Sequence, residues 1–83
     1  MSRETILNKL KDILLSTEDI NSDIINQANE NTELFSGLGL SSFKLLYIAI
    51  IIEEEFGIRF NSLGLSAFTT IKDIIDYISS QVK

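Results

Sequence analysis

The longest apolar run in the chain, from Leu45 to Ile52, limits the folds that this sequence can adopt. The run is rich in β-branched isoleucine, so taken alone it fits a buried strand as well as a helix. A longer window favours the helix, because helical apolar spacing continues to Phe56, three glutamates follow the run and Gly57 suits a helix end. The spaced apolar positions are Leu45, Leu46, Ala49, Ile52 and Phe56. We predict a helix from about Ser42 to Phe56.

Two other segments have the apolar periodicity of amphipathic helices. The first runs from Ser2 to about Leu15, with Ser2 suited to the N-cap and Glu4 in the first turn. The second is "FTTIKDIIDYISSQVK", in which Thr70 and Asp73 have the spacing of a capping-box variant. The apolar stripes are Ile6, Leu7, Leu10, Ile13 and Leu14 in the first segment, and Ile71, Ile74, Ile75, Ile78 and Val82 in the second.

Two connections join these three helices. "STEDINSDIINQANENTE" is polar and typical of a long loop, with room for one short helical turn pinned by isoleucines that we expect to cover the core. These isoleucines are Ile20, Ile24 and Ile25. "GIRFNSLGLSAF" suits a connection with at most one short helix. Because 83 residues can build one modest core, we predict a single all-α domain over 1–83, a small four-helix bundle of three main helices and one short helix.

The charge balance limits the partners of the chain. Lys and Arg number 7 against 12 Asp and Glu, and the net charge of −5 works against binding to nucleic-acid phosphates and favours basic protein surfaces. The start, "MSRETILNKLKD", lacks the apolar stretch of a secretory signal, and the longest apolar run is far shorter than the roughly 20 residues that span a bilayer. We expect a cytoplasmic monomer that does not insert into membranes.

The chain contains neither cysteine nor histidine. Disulfides and zinc sites built from these residues are excluded. A Ser-His-Asp relay cannot form, and there is no thiolate nucleophile. A carboxylate pair or a buried lysine remains open in principle, although a small core gives little room to shift their pKa values. We expect that the chain is not an enzyme.

Part of the polar loop resembles an EF-hand calcium loop. The residues at its first, third, fifth and twelfth ligand positions are Asp19, Asn21, Asp23 and Glu30. The sixth position needs glycine for a sharp turn, and Ile24 stands there. This mismatch favours a solvated polar loop over a calcium site.

Two stretches carry a family resemblance: "LGLSSFKLLYIAIIIEEEFGIRF" and, after it, "FTTIKDIIDYI". In order and spacing they resemble the acyl carrier protein family, which also includes peptidyl and other thiolation carriers, over Leu34 to Ile78. In that family a serine in an Asp-Ser-Leu motif at the start of the second helix carries 4′-phosphopantetheine, and the matching residue here is Ser42. The resemblance implies that the chain carries an acyl or aminoacyl thioester, with a phosphopantetheinyl transferase and acyl-loading ligase or synthase enzymes as partners.

The physical setting suits that role. The first turn of a helix offers unpaired N–H groups and the positive end of the helix dipole, which favour a phosphodiester on Ser42. Ser41 would fill the N-cap position. Without the resemblance, both serines read as ordinary cap and loop residues. With it, Ser42 is a substrate that a separate transferase activates, so the absence of histidine needs no explanation.

Several residues depart from the family pattern. Ser41 stands in place of the usual aspartate, Phe43 in place of leucine, and Lys44 and Tyr47 where fatty-acid carriers have acidic residues. The main acidic block is then Glu53 to Glu55. These departures favour a dedicated carrier of a specialised pathway (polyketide, nonribosomal peptide or unusual lipid) over the housekeeping fatty-acid carrier. The residues to which we assign partner docking are Phe43, Lys44, Tyr47, Glu53 and Glu54.

Two alternatives remain open. Tyr47, Ile48, Ile50 and Ile51 cannot all face one core, so either loops cover the helix on several sides or it presents a docking strip or acyl pocket. The three glutamates suit a solvated face as well as a docking surface. The alternative function is a small acidic helical adaptor that binds a partner through this helix and carries no prosthetic group.

Overall fold

Within residues 2–16, 20–60 and 67–81, which the computed structural model describes, the chain forms four α-helices and no strand. The helices are α1 (Arg3–Ser16), α2 (Ser22–Gln27), α3 (Ser42–Phe56) and α4 (Ile71–Gln81). α1 contacts each of the other three. The prediction of a small all-α bundle with one short helix is confirmed. Residues 61–66 of the connection "GIRFNSLGLSAF", for which at most one short helix was predicted, lie outside the described residues, as does Val82 of the predicted last stripe.

The amphipathic pattern of α1 accounts for its central place. Ser2 caps the helix as predicted, because its Oγ accepts a hydrogen bond from the Thr5 amide at 3.1 Å. Four residues at three- and four-residue steps are buried: Ile6, Leu10, Ile13 and Leu14. Leu7, at the edge of this stripe, packs against the core while partly buried. One face of α1 therefore supplies the surface on which the other helices pack.

The predicted bounds of α3 agree with the structure. Ser41 is the N-cap residue, and Gly57 ends the helix in the left-handed conformation with φ of 67°, where a residue without Cβ avoids strain. The buried face consists of Leu45, Ile48, Ala49 and Ile52. None of the helices in the described part of the chain is long and apolar enough to cross a membrane.

The helical spacing of apolar residues in the sequence does not by itself identify the buried face of α3. Leu46 is 48% exposed, and Ile48 takes a place in the core with 2% exposure. Ile48 lies three residues after Leu45 and four before Ile52, so it falls nearer the centre of the buried face. The sequence did not distinguish Leu46 from Ile48, because both are apolar and either could lie beside the buried residues.

The loop before α3 is fixed by close backbone packing. A Cβ on Gly37 would lie 2.5 Å from the carbonyl oxygen of Glu33, so only glycine fits there without movement of the backbone. Leu34, Leu38 and Leu40 anchor the loop in the core. Glu33 also forms an isolated antiparallel bridge with Thr70. The segment that leads into α3 is thereby joined to the residues just before α4.

α4 confirms the predicted apolar stripe over the described residues, with Ile71, Ile74, Ile75 and Ile78 buried. Its capping is also close to prediction. The Asp73 carboxylate accepts from the Thr70 amide at 3.1 Å and from the Thr69 amide at 2.8 Å. These hydrogen bonds favour the charged form and lower the pKa of Asp73.

Three aromatic rings link the ends of the α3–α4 connection. Phe60 stacks on Tyr77 with ring centroids 4.9 Å apart, and Phe68 meets both rings edge-on. The Tyr77 hydroxyl donates to the Arg59 carbonyl oxygen. This cluster holds residues 59–60 and Phe68 against α4.

The EF-hand match is not supported by the fold of its residues. Positions four to nine of the candidate loop form α2, and the side chain of Asn21 caps that helix by accepting from the Asp23 amide at 2.7 Å. Glu30 instead pairs with Arg3, which also contacts Asp76 at 2.8 Å and lowers the pKa of Glu30. No group of three or more potential metal ligands occurs among the described residues, and Asp19 lies outside them.

Of the loop isoleucines, Ile25 is fully buried, Ile20 is partly buried and Ile24 is exposed.

Candidate functional site

The two adjacent serines at the start of α3 have different environments. The Ser41 Oγ accepts a hydrogen bond from the Lys44 amide at 3.2 Å, which confirms the predicted cap. Ser42 is the first helical residue and is exposed, and its hydroxyl forms no hydrogen bond with the residues that the structure describes. One hydroxyl therefore stabilises the helix and the other faces solvent.

The backbone at this helix end is electrostatically positive. The Ser41 hydroxyl accepts only from the third amide of the helix, that of Lys44, and no group in the described ranges accepts from the N–H groups of Ser42 or Phe43. The first turn contains no acidic residue, and it contains Lys44. Unpaired amides, the helix dipole and a nearby ammonium group all favour an anion here.

The residues predicted for docking are distributed unevenly. Phe43 is 86% exposed and Tyr47, one turn further along the same face, is 57% exposed. Lys44 is half-buried beside them, and Glu54 is exposed at the other end of α3. Glu53 differs from the others, because its carboxylate accepts from the Phe60 amide at 2.7 Å and so fixes the chain that follows α3.

Two exposed residues of α3 were not among the residues assigned to partner docking, although Ile50 was one of the four considered for a docking strip. Leu46 and Ile50 complete an apolar face with Phe43 and Tyr47, at positions i, i+3, i+4 and i+7. That spacing was present in the sequence. It was obscured because the whole run is apolar, so that several sets of positions have helical spacing.

This face leads into an open groove of about 370 Å³ at the carboxyl end of α3. The lining residues are Ile50, Glu53, Glu54, Gly57, Ile58 and Arg59. Ile50 therefore belongs both to the exposed face and to the groove, which makes the two surfaces continuous.

Comparison with known proteins gives the family. The model of the family described as "Phosphopantetheine attachment site" matches residues 8–78. The chain belongs to the acyl carrier protein family. It is 33% identical over 82 residues to the acyl carrier protein of Coprothermobacter proteolyticus, covering 99% of this chain and 96% of that one. It is 32% identical over 81 residues to the acyl carrier protein of Thermotoga maritima, covering 98% and 96%, and 31% identical over 80 residues to that of Lactobacillus acidophilus, covering 96% of each.

Members of this carrier family bear 4′-phosphopantetheine, and the start of α3 fits such a group. An exposed hydroxyl lies beside two amides without a protein acceptor in the described chain, and no carboxylate in the first turn opposes a phosphate. This helix end lies within the segment that the family model matches.

Proposed function

We propose that this acyl carrier protein bears 4′-phosphopantetheine on the Oγ of Ser42 and carries an acyl or aminoacyl group there as a thioester. The observation that carries the proposal is the difference between the two serines: Ser41 is used as the helix cap, while the Ser42 hydroxyl is exposed and uncommitted. The prosthetic group supplies the thiol, which this cysteine-free chain lacks.

The residues of the carrier hold and present the group without reacting with the cargo. The amides of Ser42 and Phe43 have no acceptor among the described residues and are available to a phosphate on Ser42, and the helix dipole would add to their attraction. Lys44, in the same turn, contributes positive charge. The exposed position of Ser42 leaves the attached arm in solvent, within reach of other proteins. Catalysis of loading and transfer is assigned to those partners.

We assign docking of a phosphopantetheinyl transferase and of loading ligase or synthase enzymes to the surface of α3. Phe43, Lys44, Tyr47 and Glu54 lie on this helix with the attachment serine at its start. Glu53 contributes by shaping the chain after the helix, since its carboxylate holds the Phe60 amide. A partner bound along α3 would therefore also cover Ser42.

Attachment at Ser42 is tested by intact-mass measurement after incubation with coenzyme A and a promiscuous transferase. The serine Oγ forms a bond to phosphorus as the pyrophosphate bond of coenzyme A breaks, and the nucleotide 3′,5′-bisphosphate leaves. Wild type should gain the mass of one phosphopantetheinyl group, and Ser42→Ala should gain none. Ser41→Ala is the matched control and should still be loaded, although its helix is less stable. A mass gain in Ser42→Ala, or none in wild type with several transferases, would contradict the proposal, and the latter would favour the adaptor.

We further propose that the carrier serves a specialised pathway. The supporting observation concerns the first two turns of α3. Lys44 and Tyr47 stand there at positions where fatty-acid carriers typically have acidic residues. Reconstitution with fatty-acid synthesis enzymes tests this, in parallel with polyketide and nonribosomal-peptide loading enzymes. Efficient turnover by the fatty-acid enzymes alone would contradict it.

A further inference from the structure

Most of the acidic block on α3 is committed to contacts within the molecule. The Glu53 carboxylate accepts from the Phe60 amide at 2.7 Å, and Glu55 pairs with Lys9 on α1 at 3.5 Å. Glu54 is exposed, and its side chain makes no ion pair or hydrogen bond with the described residues. A partner that approaches α3 therefore meets one uncommitted carboxylate.

The remainder of that face is apolar. We call Phe43, Leu46, Tyr47 and Ile50 the α3 strip; all four are exposed by 48% or more. Their i, i+3, i+4, i+7 spacing places them along one side of the helix, over about 10 Å at 1.5 Å per residue. The strip begins at the residue after Ser42 and ends at the groove beside Glu54.

We infer that partner enzymes bind this carrier through an apolar groove of their own that covers the α3 strip. A single positively charged side chain of the partner then pairs with Glu54. This inference rests on the proposed function, because the partners are the enzymes that load Ser42. The distribution of charge indicates the chemistry of the partner surface. The strip contains no ionised group, which suits an apolar surface, and the carboxylate of Glu54 at its distal end suits one positively charged side chain. A second copy of the chain is disfavoured as the occupant, since each copy has a net charge of −5.

Apolar docking differs from ionic docking in its response to salt. Ionic association weakens steeply as the Debye length falls, whereas apolar burial is little affected. With a promiscuous transferase as the probe, kcat/KM for loading should fall less than about threefold between about 50 and about 500 mM NaCl. Glu54→Gln should remove most of the fall that remains.

Truncation of the strip should weaken binding and leave turnover unchanged. Tyr47→Ala and Ile50→Ala should each raise KM about tenfold with kcat unchanged, because each removes a large apolar contact. Leu15→Ala and Ile24→Ala are matched controls, since those residues are 43% exposed outside α3. They should be loaded like wild type. Direct binding of the unmodified carrier to the same transferase should rank the variants in the same order.

Each result has a distinct meaning. Loading on Ser42 with steep salt dependence, or with strip variants equal to wild type, overturns apolar docking and leaves the proposed function intact. Binding through the strip without a mass gain supports apolar docking and removes the proposed function. A wild-type chain that no transferase binds or loads overturns both, and so does sedimentation as a dimer that Tyr47→Ala dissociates.

Discussion

The amino ends of α3 and α4 differ in what their backbone amides bind. At α4, Thr69 and Thr70 donate to the Asp73 carboxylate, and the next two amides donate to loop carbonyls, Ile71 to Thr32 and Lys72 to Glu30. At α3, the Ser41 hydroxyl accepts from one amide only, that of Lys44, and the amides of Ser42 and Phe43 have no acceptor among the described residues. The first end is closed by the protein and supports the fold. The second is left open, at the residue to which we assign the phosphate.

The largest effect on the free energy of unfolding is expected in the loop before α3, where it pairs with the residues at the amino end of α4. Gly37→Ala places a Cβ 2.5 Å from the Glu33 carbonyl oxygen and must displace the segment that pairs with Thr70. We expect a loss of about 3 kcal/mol in the free energy of unfolding, measured by urea denaturation. Gly39→Ala is a useful comparison, because it has open space around it but a φ of 73°. It should cost about 1 kcal/mol. Equal stability of Gly37→Ala and wild type would show that the loop does not hold the closed end.

Removal of the carboxylate at the closed end should cost less. Asp73→Ala leaves the amides of Thr69 and Thr70 without their acceptor, so we expect a loss of about 2 kcal/mol by thermal or urea unfolding. Asp76→Ala, on the same helix but past its first turn, controls for the loss of an acidic residue. A loss no larger than that of the control would break the contrast between the two ends.

At the open end, removal of the cap should cost about 1 kcal/mol. Ser41→Ala removes one acceptor, that of the Lys44 amide, whereas Asp73 serves two amides. Ser42→Ala should change stability by less than about 0.5 kcal/mol, since its hydroxyl has no partner in the described structure. A larger loss for Ser42→Ala than for Ser41→Ala would reverse the roles of the two serines.

The smallest effect concerns acid sensitivity. Because the pKa of Asp73 is lowered in the folded state, its contribution is complete above the unfolded pKa of about 4 and is lost as the pH falls through the folded pKa. Asp73→Asn should therefore be less stable than wild type at pH 7, and the gap should be smaller at an acidic pH below the unfolded pKa of about 4. Thermal melts at both pH values test this. Ser41→Ala should keep the same gap at both, since serine does not ionise there.

Apolar spacing and cap residues, which act over a few neighbouring residues, were enough to predict the helices and the first residue of α3. Ser41, Gly57 and Asp73 act through backbone groups within a few residues, so spacing alone was enough to assign them. The exposed face of α3 could not be derived in the same way, because apolarity on every side leaves the orientation to tertiary packing. The contacts of Glu53 with Phe60 and of Arg3 with Glu30 also join residues that no local pattern pairs. For this reason Glu53 was assigned to docking together with Glu54, although its carboxylate holds the Phe60 amide.

The aromatic cluster at α4 also gives this protein an intrinsic tyrosine fluorescence that can be used as a probe. The chain has no tryptophan and two tyrosines, Tyr77 stacked on Phe60 and Tyr47 exposed on α3. Iodide should quench the emission of Tyr47 more than that of Tyr77, which is partly buried against the core until the bundle unfolds. Tyr47→Phe and Tyr77→Phe variants would then separate, without any added dye, the binding of a partner from the unfolding of the protein.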